Sequence, residues 1–228
     1  MAKNDKKQAT RTTIDELNEK LSAAERRVEG NKKMILWAII GILVVIGIGL
    51  WYYYGVYQAN INESKEAVGK ADIAMMAGND SLALKQYQAA AAQHSNKYAN
   101  RANLEAAAIL YQQGKFAEAV KCLDQYDAEE SFVGSLAKAL QGDCNVNLKK
   151  YDEAVKCYDE AVEIADGNKM LIPYALTKKA TVLSAQNKHK EAAAIYEEIK
   201  YKYPEFNASN RIDINTLLER ENFRASKK

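Results

Sequence analysis

The chain has 228 residues and a formal net charge of +2, from 32 basic and 30 acidic residues, so its charge predicts no nucleic-acid partner. With 2 prolines and 48% hydrophobic residues, the composition is typical of a mostly helical protein. The cysteines and histidines form no metal-binding or catalytic spacing, so we expect no enzymatic activity, no metal, no cofactor and no small-molecule substrate.

Residues 1–33 are predicted to form a tail that contains a short amphipathic helix. Thr13 and Glu16 have the spacing of a capping box. The apolar residues that follow keep a heptad spacing for only two heptads, which is marginal for a coiled coil. The segment therefore remains either a solvated juxtamembrane helix or a short partner-binding helix. The seam consists of Ile14, Leu17, Leu21, Ala24 and Val28.

Residues 34–57 are predicted to form one transmembrane helix. The 21 residues from Met34 to Tyr54 carry no charge, and as a helix they span about 30 Å, the thickness of a bilayer core. Lys32 and Lys33 precede this run, so the positive-inside rule places the N-terminus in the cytoplasm. A cleaved signal peptide and a buried helix are the disfavoured alternatives. The residues predicted to anchor this helix at the membrane interfaces are Trp37, Trp51, Tyr52, Tyr53 and Tyr54.

Residues 58–228 are predicted to form an all-α solenoid, because small and large residues recur with a period of 35 to 38. Ala83, Ala119, Ala154 and Ala192 mark this period. Each is followed four residues later by a large residue, namely Tyr87, Leu123, Tyr158 or Tyr196. The units are predicted at about 64–97, 100–133, 135–168 and 173–206, with a polar-faced capping helix at about 210–223.

This periodic pattern resembles the tetratricopeptide repeat (TPR), with Gly142 at the family's helix-crossing position and Pro204 at its repeat-ending position. The resemblance implies an α-α superhelix of four helical hairpins with a concave groove lined by the first helix of each hairpin. Carrying over the family's groove positions gives a candidate peptide-binding set of Met75, Met76, Arg101, Leu104, Tyr111, Leu136, Asp143, Val146, Asn147, Tyr174 and Thr177.

The carboxylate clamp of the TPR co-chaperones is not expected in this chain. The clamp positions are occupied by acidic or apolar residues, so the chaperone partners of that clamp are not implied. The expected ligand is instead an extended or helical apolar segment of another protein. The residues at the clamp positions are Val68, Asp72, Glu105, Leu136 and Leu140.

The segment from Tyr98 through Val162, together with the membrane helix, resembles the bacterial YfgM-type ancillary subunits of the SecYEG translocon. This resemblance implies a single-pass protein of the bacterial inner membrane with a periplasmic repeat domain. It also implies a role in protein export, with translocon subunits, exported chains or periplasmic chaperones as partners. A cell-envelope assembly scaffold and a regulatory anchor that acts through its tail helix remain alternatives.

The sequence leaves several properties open. Either of two cysteines, Cys122 and Cys157, could pair with Cys144, although small buried thiols are the simpler expectation. The two histidines, His94 and His189, are expected at the surface. The bound partner, the oligomeric state and occupancy of the groove by the chain's own C-terminal helix are not predicted.

Overall fold

A computed structural model describes residues 16–22, 30–128, 130–209 and 212–227. All regular elements in these ranges are helical, which confirms the predicted all-α class. The predicted capping residue Thr13 and most of the predicted tail seam, namely Ile14, Ala24 and Val28, lie outside the described residues. The chain divides into two compact units, residues 1–59 and 60–228.

The first unit contains the apolar helix. Residues 16–22 are helical, α1 runs from Lys32 to Trp51, and a π-helical stretch follows from Tyr52 to Tyr57. No side chain of α1 is buried within the structure. Among the described residues, the helical stretch that begins at Lys32 is the one long and apolar enough to cross a membrane.

The second unit consists of antiparallel helical hairpins that follow one another along the chain. The π-helical stretch continues into α2, whose partner in the first hairpin is α3. The helices are α2 (Gln58–Met76), α3 (Asp80–Gln93), α4 (Lys97–Gln112), α5 (Phe116–Asp124), α6 (Ser131–Asn147), α7 (Tyr151–Ile164), α8 (Leu171–Ala185), α9 (His189–Lys202), α10 (Pro204–Ser209) and α11 (Ile214–Ser226).

The period seen in the sequence is the packing period of the core. The four reference alanines on α3, α5, α7 and α9 are fully buried, and the large residues that follow them are at most 3% exposed. Where these helices cross their neighbours, an alanine allows the two helix backbones to approach closely, and the adjacent large side chain fills the remaining space. Gly142 on α6 serves the same purpose, because a Cβ atom there would lie 2.5 Å from the Tyr158 ring.

The turn inside each hairpin also repeats. One residue in each turn has a positive φ, and the next residue's N–H bonds back to the carbonyl five residues earlier, as in a Schellman motif. The first two turns use glycine, whereas the last two place larger side chains in this left-handed conformation. The residues are Gly78, Gly114, Lys149 and Asn187.

Candidate functional site

The candidate groove residues lie on α2, α4, α6 and α8, the first helices of the four hairpins. Their exposure differs widely. Met76 is 88% exposed, and Leu136 and Tyr174 are 37% and 36% exposed. Leu104 and Val146 are half-buried and pack against the core. The predicted set therefore divides into solvent-facing residues and residues that also contribute to packing.

Arg101 is held by an ion pair between the first two hairpins. Its Nη1 and Nη2 atoms donate to the two carboxylate oxygens of Asp72 at 3.0 and 2.9 Å. Tyr87, in the same hairpin as Asp72, donates to that carboxylate at 2.6 Å. Burial and the nearby Asp72 raise the pKa of Tyr87, so this hydroxyl stays a donor. Arg101 thus presents a guanidinium that is largely neutralised by Asp72.

Asp143 occupies an equivalent arrangement between the third and fourth hairpins. Lys178 on α8 contacts its two carboxylate oxygens at 2.8 and 2.9 Å, and Tyr158 donates to it at 2.7 Å. Burial of Lys178 opposes its charge, but the bonds to Asp143 outweigh this effect and raise the lysine pKa. The Lys178 ammonium also lies 5.0 Å from the ring centroid of Tyr174. These contacts fix the orientation of two predicted groove residues.

The remaining predicted residues are placed by local contacts. The Tyr111 ring lies edge-on to Phe116 with centroids 5.5 Å apart. Asn147 donates to the backbone carbonyl of Asp143, one turn earlier in α6, at 2.8 Å. Thr177 donates to the carbonyl of Pro173 at 2.7 Å. Met75 is half-buried against the first core cluster.

Two further exposed apolar residues lie at the starts of α6 and α8 and were not predicted from the sequence. Phe132 is 57% exposed and lies one turn before Leu136 on α6. Met170 is 41% exposed, immediately precedes the first residue of α8 and lies one turn before Tyr174. Residues four apart share one helix face. The first helices of the last two hairpins therefore each present a pair of apolar side chains, which a solvated helix face does not need.

A cleft lies between α4 and the segment that leads into α6. Its volume is about 380 Å³, and its apolar lining comes from Tyr98, Leu104, Tyr126 and Val133. A cleft of this size accommodates one large side chain of a partner. Sequence periodicity does not predict this cleft, because one of its walls is the irregular loop after α5.

That wall is fixed by hydrogen bonds rather than by regular structure. The Asn100 side chain donates to the Asp127 carbonyl and accepts from the Asp127 N–H, both at 2.7 Å. Gly134 allows α6 to approach the same loop, because a Cβ atom there would lie 2.8 Å from Cβ of Ala128. These contacts position the wall of the cleft against α4 and α6.

Among the described residues, the polar and sulfur-containing side chains form no metal or redox centre. The part of the chain that the structure describes contains no group of three or more metal-ligating side chains. All three cysteines are free thiols, and burial raises the pKa of Cys144 to about 12, which keeps it protonated. The predicted surface position of the histidines is wrong for His189. Its side chain is 11% exposed because its Nδ1 atom pairs with the buried Glu221 carboxylate at 2.8 Å.

The helical hairpins, the buried crossing residues and the repeated turns define an α-α superhelix of the TPR type. Residues 56–181 match the family profile of the tetratricopeptide repeat-like domain, and residues 174–205 match a second tetratricopeptide repeat profile. The chain belongs to the tetratricopeptide repeat-like domain family. Domains of this kind are protein–protein interaction modules, and the fold is typically a non-catalytic scaffold.

Solved structures show the same fold at low sequence identity. Two crystal structures of MamA are similar. One has a TM-score of 0.53 at 16% identity over 72% of this chain and 88% of MamA. The other has a TM-score of 0.50 at 15% identity over 69% of this chain and 95% of MamA. Nearly identical TPR-like repeats assigned to a kinesin light chain of Podosopora anserina match with a TM-score of 0.50 at 15% identity, over 72% and 94% of the two chains. No curated protein sequence matches this chain.

Proposed function

We propose that this protein is a membrane-tethered module that binds apolar segments of other proteins, at the outer face of the bacterial inner membrane. The observation that carries the proposal is the row of exposed apolar side chains on α6 and α8, especially Phe132 and Met170. Solvent-exposed aromatic and methionine side chains at equivalent places on neighbouring first helices form a surface suited to an apolar ligand.

The apolar helix supports the tether. Its length matches a bilayer, and the exposed fractions of Trp37 and Trp51 are 71% and 69%. The basic residues Lys32 and Lys33 begin this helix and precede its apolar run, which supports a cytoplasmic N-terminus and a periplasmic repeat domain. A tether of this kind raises the effective concentration of the repeat domain for chains that emerge at the membrane. The proposed task is therefore assistance to protein export, or hand-over of exported chains to periplasmic chaperones.

Crosslinking in living cells, followed by purification from solubilised membranes, tests the binding function. The test variant is Phe132→Ser with Met170→Ser. The matched control is Leu82→Ser, because Leu82 is 43% exposed but lies on α3, a second helix. We expect the double variant to lose crosslinked partners and the control to retain them. The proposal would be overturned if the unmodified protein, the double variant and the control variant all recovered the same crosslinked partners.

The partner list distinguishes the proposed task from envelope assembly. Translocon subunits and periplasmic chaperones among the partners would support a role in export, whereas only envelope-assembly proteins would replace that role with a scaffold. A reporter that is active only outside the cytoplasm, fused after Lys228, tests the orientation. An inactive but stable fusion would contradict the periplasmic placement.

A further inference from the structure

We propose that the cleft between α4 and α6 selects an apolar anchor residue that is flanked by basic residues in the bound segment. This inference rests on the proposed function and specifies its ligand. The lining of the cleft combines polar residues with four apolar ones, Tyr98, Leu104, Tyr126 and Val133, and this apolar part suits an apolar side chain. Burial of one such side chain removes apolar surface from water, which makes the anchor the main source of affinity.

The rim of the cleft carries a net negative charge once the ion pair between Arg101 and Asp72 is taken into account. Glu105, Asp127 and Glu130 line the cleft together with the cations Lys97 and Arg101. Asp72, from the preceding hairpin, neutralises Arg101 by accepting two hydrogen bonds from its guanidinium group. Among the described lining residues, three carboxylates then face one further cation. The remaining field therefore favours a cationic ligand.

The positive charges of Lys97 and Arg101 do not cancel the net negative charge of the rim. The Lys97 ammonium lies 5.3 Å from the ring centroid of Tyr98, at the edge of the cleft. The Nε atom of Arg101 lies 3.5 Å from Glu105, so that arginine is shared between two carboxylates. A basic residue of the ligand would meet Glu130 and Asp127 on the opposite wall. An acidic residue there would be repelled.

Recognition of a basic and apolar segment by this cleft differs from recognition of a peptide's C-terminal carboxylate by a cationic clamp. Glu105 stands at one of the clamp positions considered above, so a peptide's C-terminal carboxylate is disfavoured in this part of the groove. The expected ligand is an internal apolar segment in which lysine or arginine lies beside a large apolar residue. Exported chains with such segments are one source of this ligand.

Fluorescence anisotropy with labelled decapeptides and the full detergent-solubilised chain tests this inference. Three peptides share an uncharged apolar frame with blocked termini. The first has phenylalanine flanked by two lysines, the second has phenylalanine flanked by two glutamates, and the third replaces phenylalanine by alanine beside the lysines. We expect the lysine–phenylalanine peptide to bind about tenfold more tightly than each of the others at low salt.

A double variant, Glu105→Gln with Glu130→Gln, tests the cleft, because glutamine keeps the shape of the glutamate side chain and removes its charge. The matched control is Glu153→Gln combined with Glu163→Gln, two exposed positions on α7. We expect the cleft variant to reduce the preference for lysine over glutamate peptides to about twofold or less, and the control to keep it. Circular dichroism verifies that both variants fold.

The outcomes separate this inference from the proposed function. If lysine and glutamate peptides bind equally well, or if the cleft variant keeps the full preference, the charge selection is wrong and apolar binding stands. If none of the phenylalanine peptides binds, both proposals fail. If alanine replaces phenylalanine without loss of affinity, the cleft does not hold an apolar anchor.

Discussion

Glu221 in α11 lies 2.8 Å from Nδ1 of His189, the first residue of α9, and its side chain has no exposure to solvent. Its carboxylate also accepts hydrogen bonds from Ser184 at 2.8 Å and from Arg220 at 2.9 Å. A buried carboxylate is tolerated only when it is paired in this way. The C-terminal helix is therefore held against the last hairpin by a polar contact as well as by the buried Ile214.

Glu221 should make the stability of the repeat domain depend on pH in the acidic range. Burial opposes its ionisation, but bonds from His189, Ser184 and Arg220 outweigh this and hold the Glu221 pKa below its ordinary value of 4.5. A lowered folded-state pKa contributes stability above the unfolded value, and this contribution is lost as pH falls through the folded-state pKa. We expect Glu221→Gln to cost about 2 kcal/mol at neutral pH and progressively less below about pH 4.5.

Urea denaturation at several pH values, followed by circular dichroism, measures this difference. Glu163→Gln is the control, because Glu163 is exposed on α7. A cost of Glu221→Gln that stays constant from neutral pH to about pH 3 would contradict the assignment of the shifted pKa to this carboxylate.

The tyrosines at the hairpin crossings should differ in what their hydroxyl groups contribute. Tyr87 and Tyr158 donate to carboxylates at 2.6 and 2.7 Å, whereas the Tyr196 hydroxyl lies 3.3 Å from the Thr181 hydroxyl. Hydrogen bonds to charged groups stabilise more than neutral ones. Replacement by phenylalanine should cost about 1.5 kcal/mol at Tyr87 and Tyr158, and about 0.5 kcal/mol at Tyr196. Equal losses in chemical denaturation would show that the carboxylates add nothing.

The sequence predicted what depends on local periodicity and not what depends on long-range contacts. The buried alanines and the large residues beside them follow from a four-residue spacing that recurs in every repeat. The burial of Glu221 and His189 could not be predicted, because each occurs in a charged local sequence and their contact spans 32 residues. Likewise, the wall of the cleft depends on Asn100 binding a loop 27 residues away. The exposed Phe132 was missed because groove positions were carried over from a family pattern that begins one turn later.

Two glycines in helices should respond in opposite directions to alanine. A Cβ atom at Gly142 would lie 2.5 Å from the Tyr158 ring, whereas at Gly69 on α2 it would meet no atom within 4 Å. Overpacking a helix crossing costs about 1–3 kcal/mol, and removing an unneeded helical glycine gains about 0.5–1 kcal/mol. We therefore expect Gly142→Ala to lower the unfolding free energy and Gly69→Ala to raise it. Changes of the same sign would contradict the described crossing.

Lys149 occupies a backbone conformation in which the first two hairpin turns place a glycine. Its φ is 60°, and the equivalent turn residues Gly78 and Gly114 have φ values of 71° and 73°. A side chain with a Cβ atom is disfavoured in this left-handed region by about 1 kcal/mol, part of which is offset by the greater flexibility of unfolded glycine. Lys149→Gly should therefore stabilise the domain by about 0.5–1 kcal/mol.

The other turns provide the matched comparisons for this substitution. Asn187, with a φ of 61°, should gain less from glycine, because asparagine tolerates the left-handed conformation better than lysine. Gly114→Ala should cost about 1 kcal/mol, because it introduces the strain that Lys149 already has. Thermal and urea denaturation of the three variants measures this order. If Lys149→Gly destabilises the domain while Gly114→Ala is neutral, the turns do not share the conformation described, and the hairpin repeat would need a different register at its third unit.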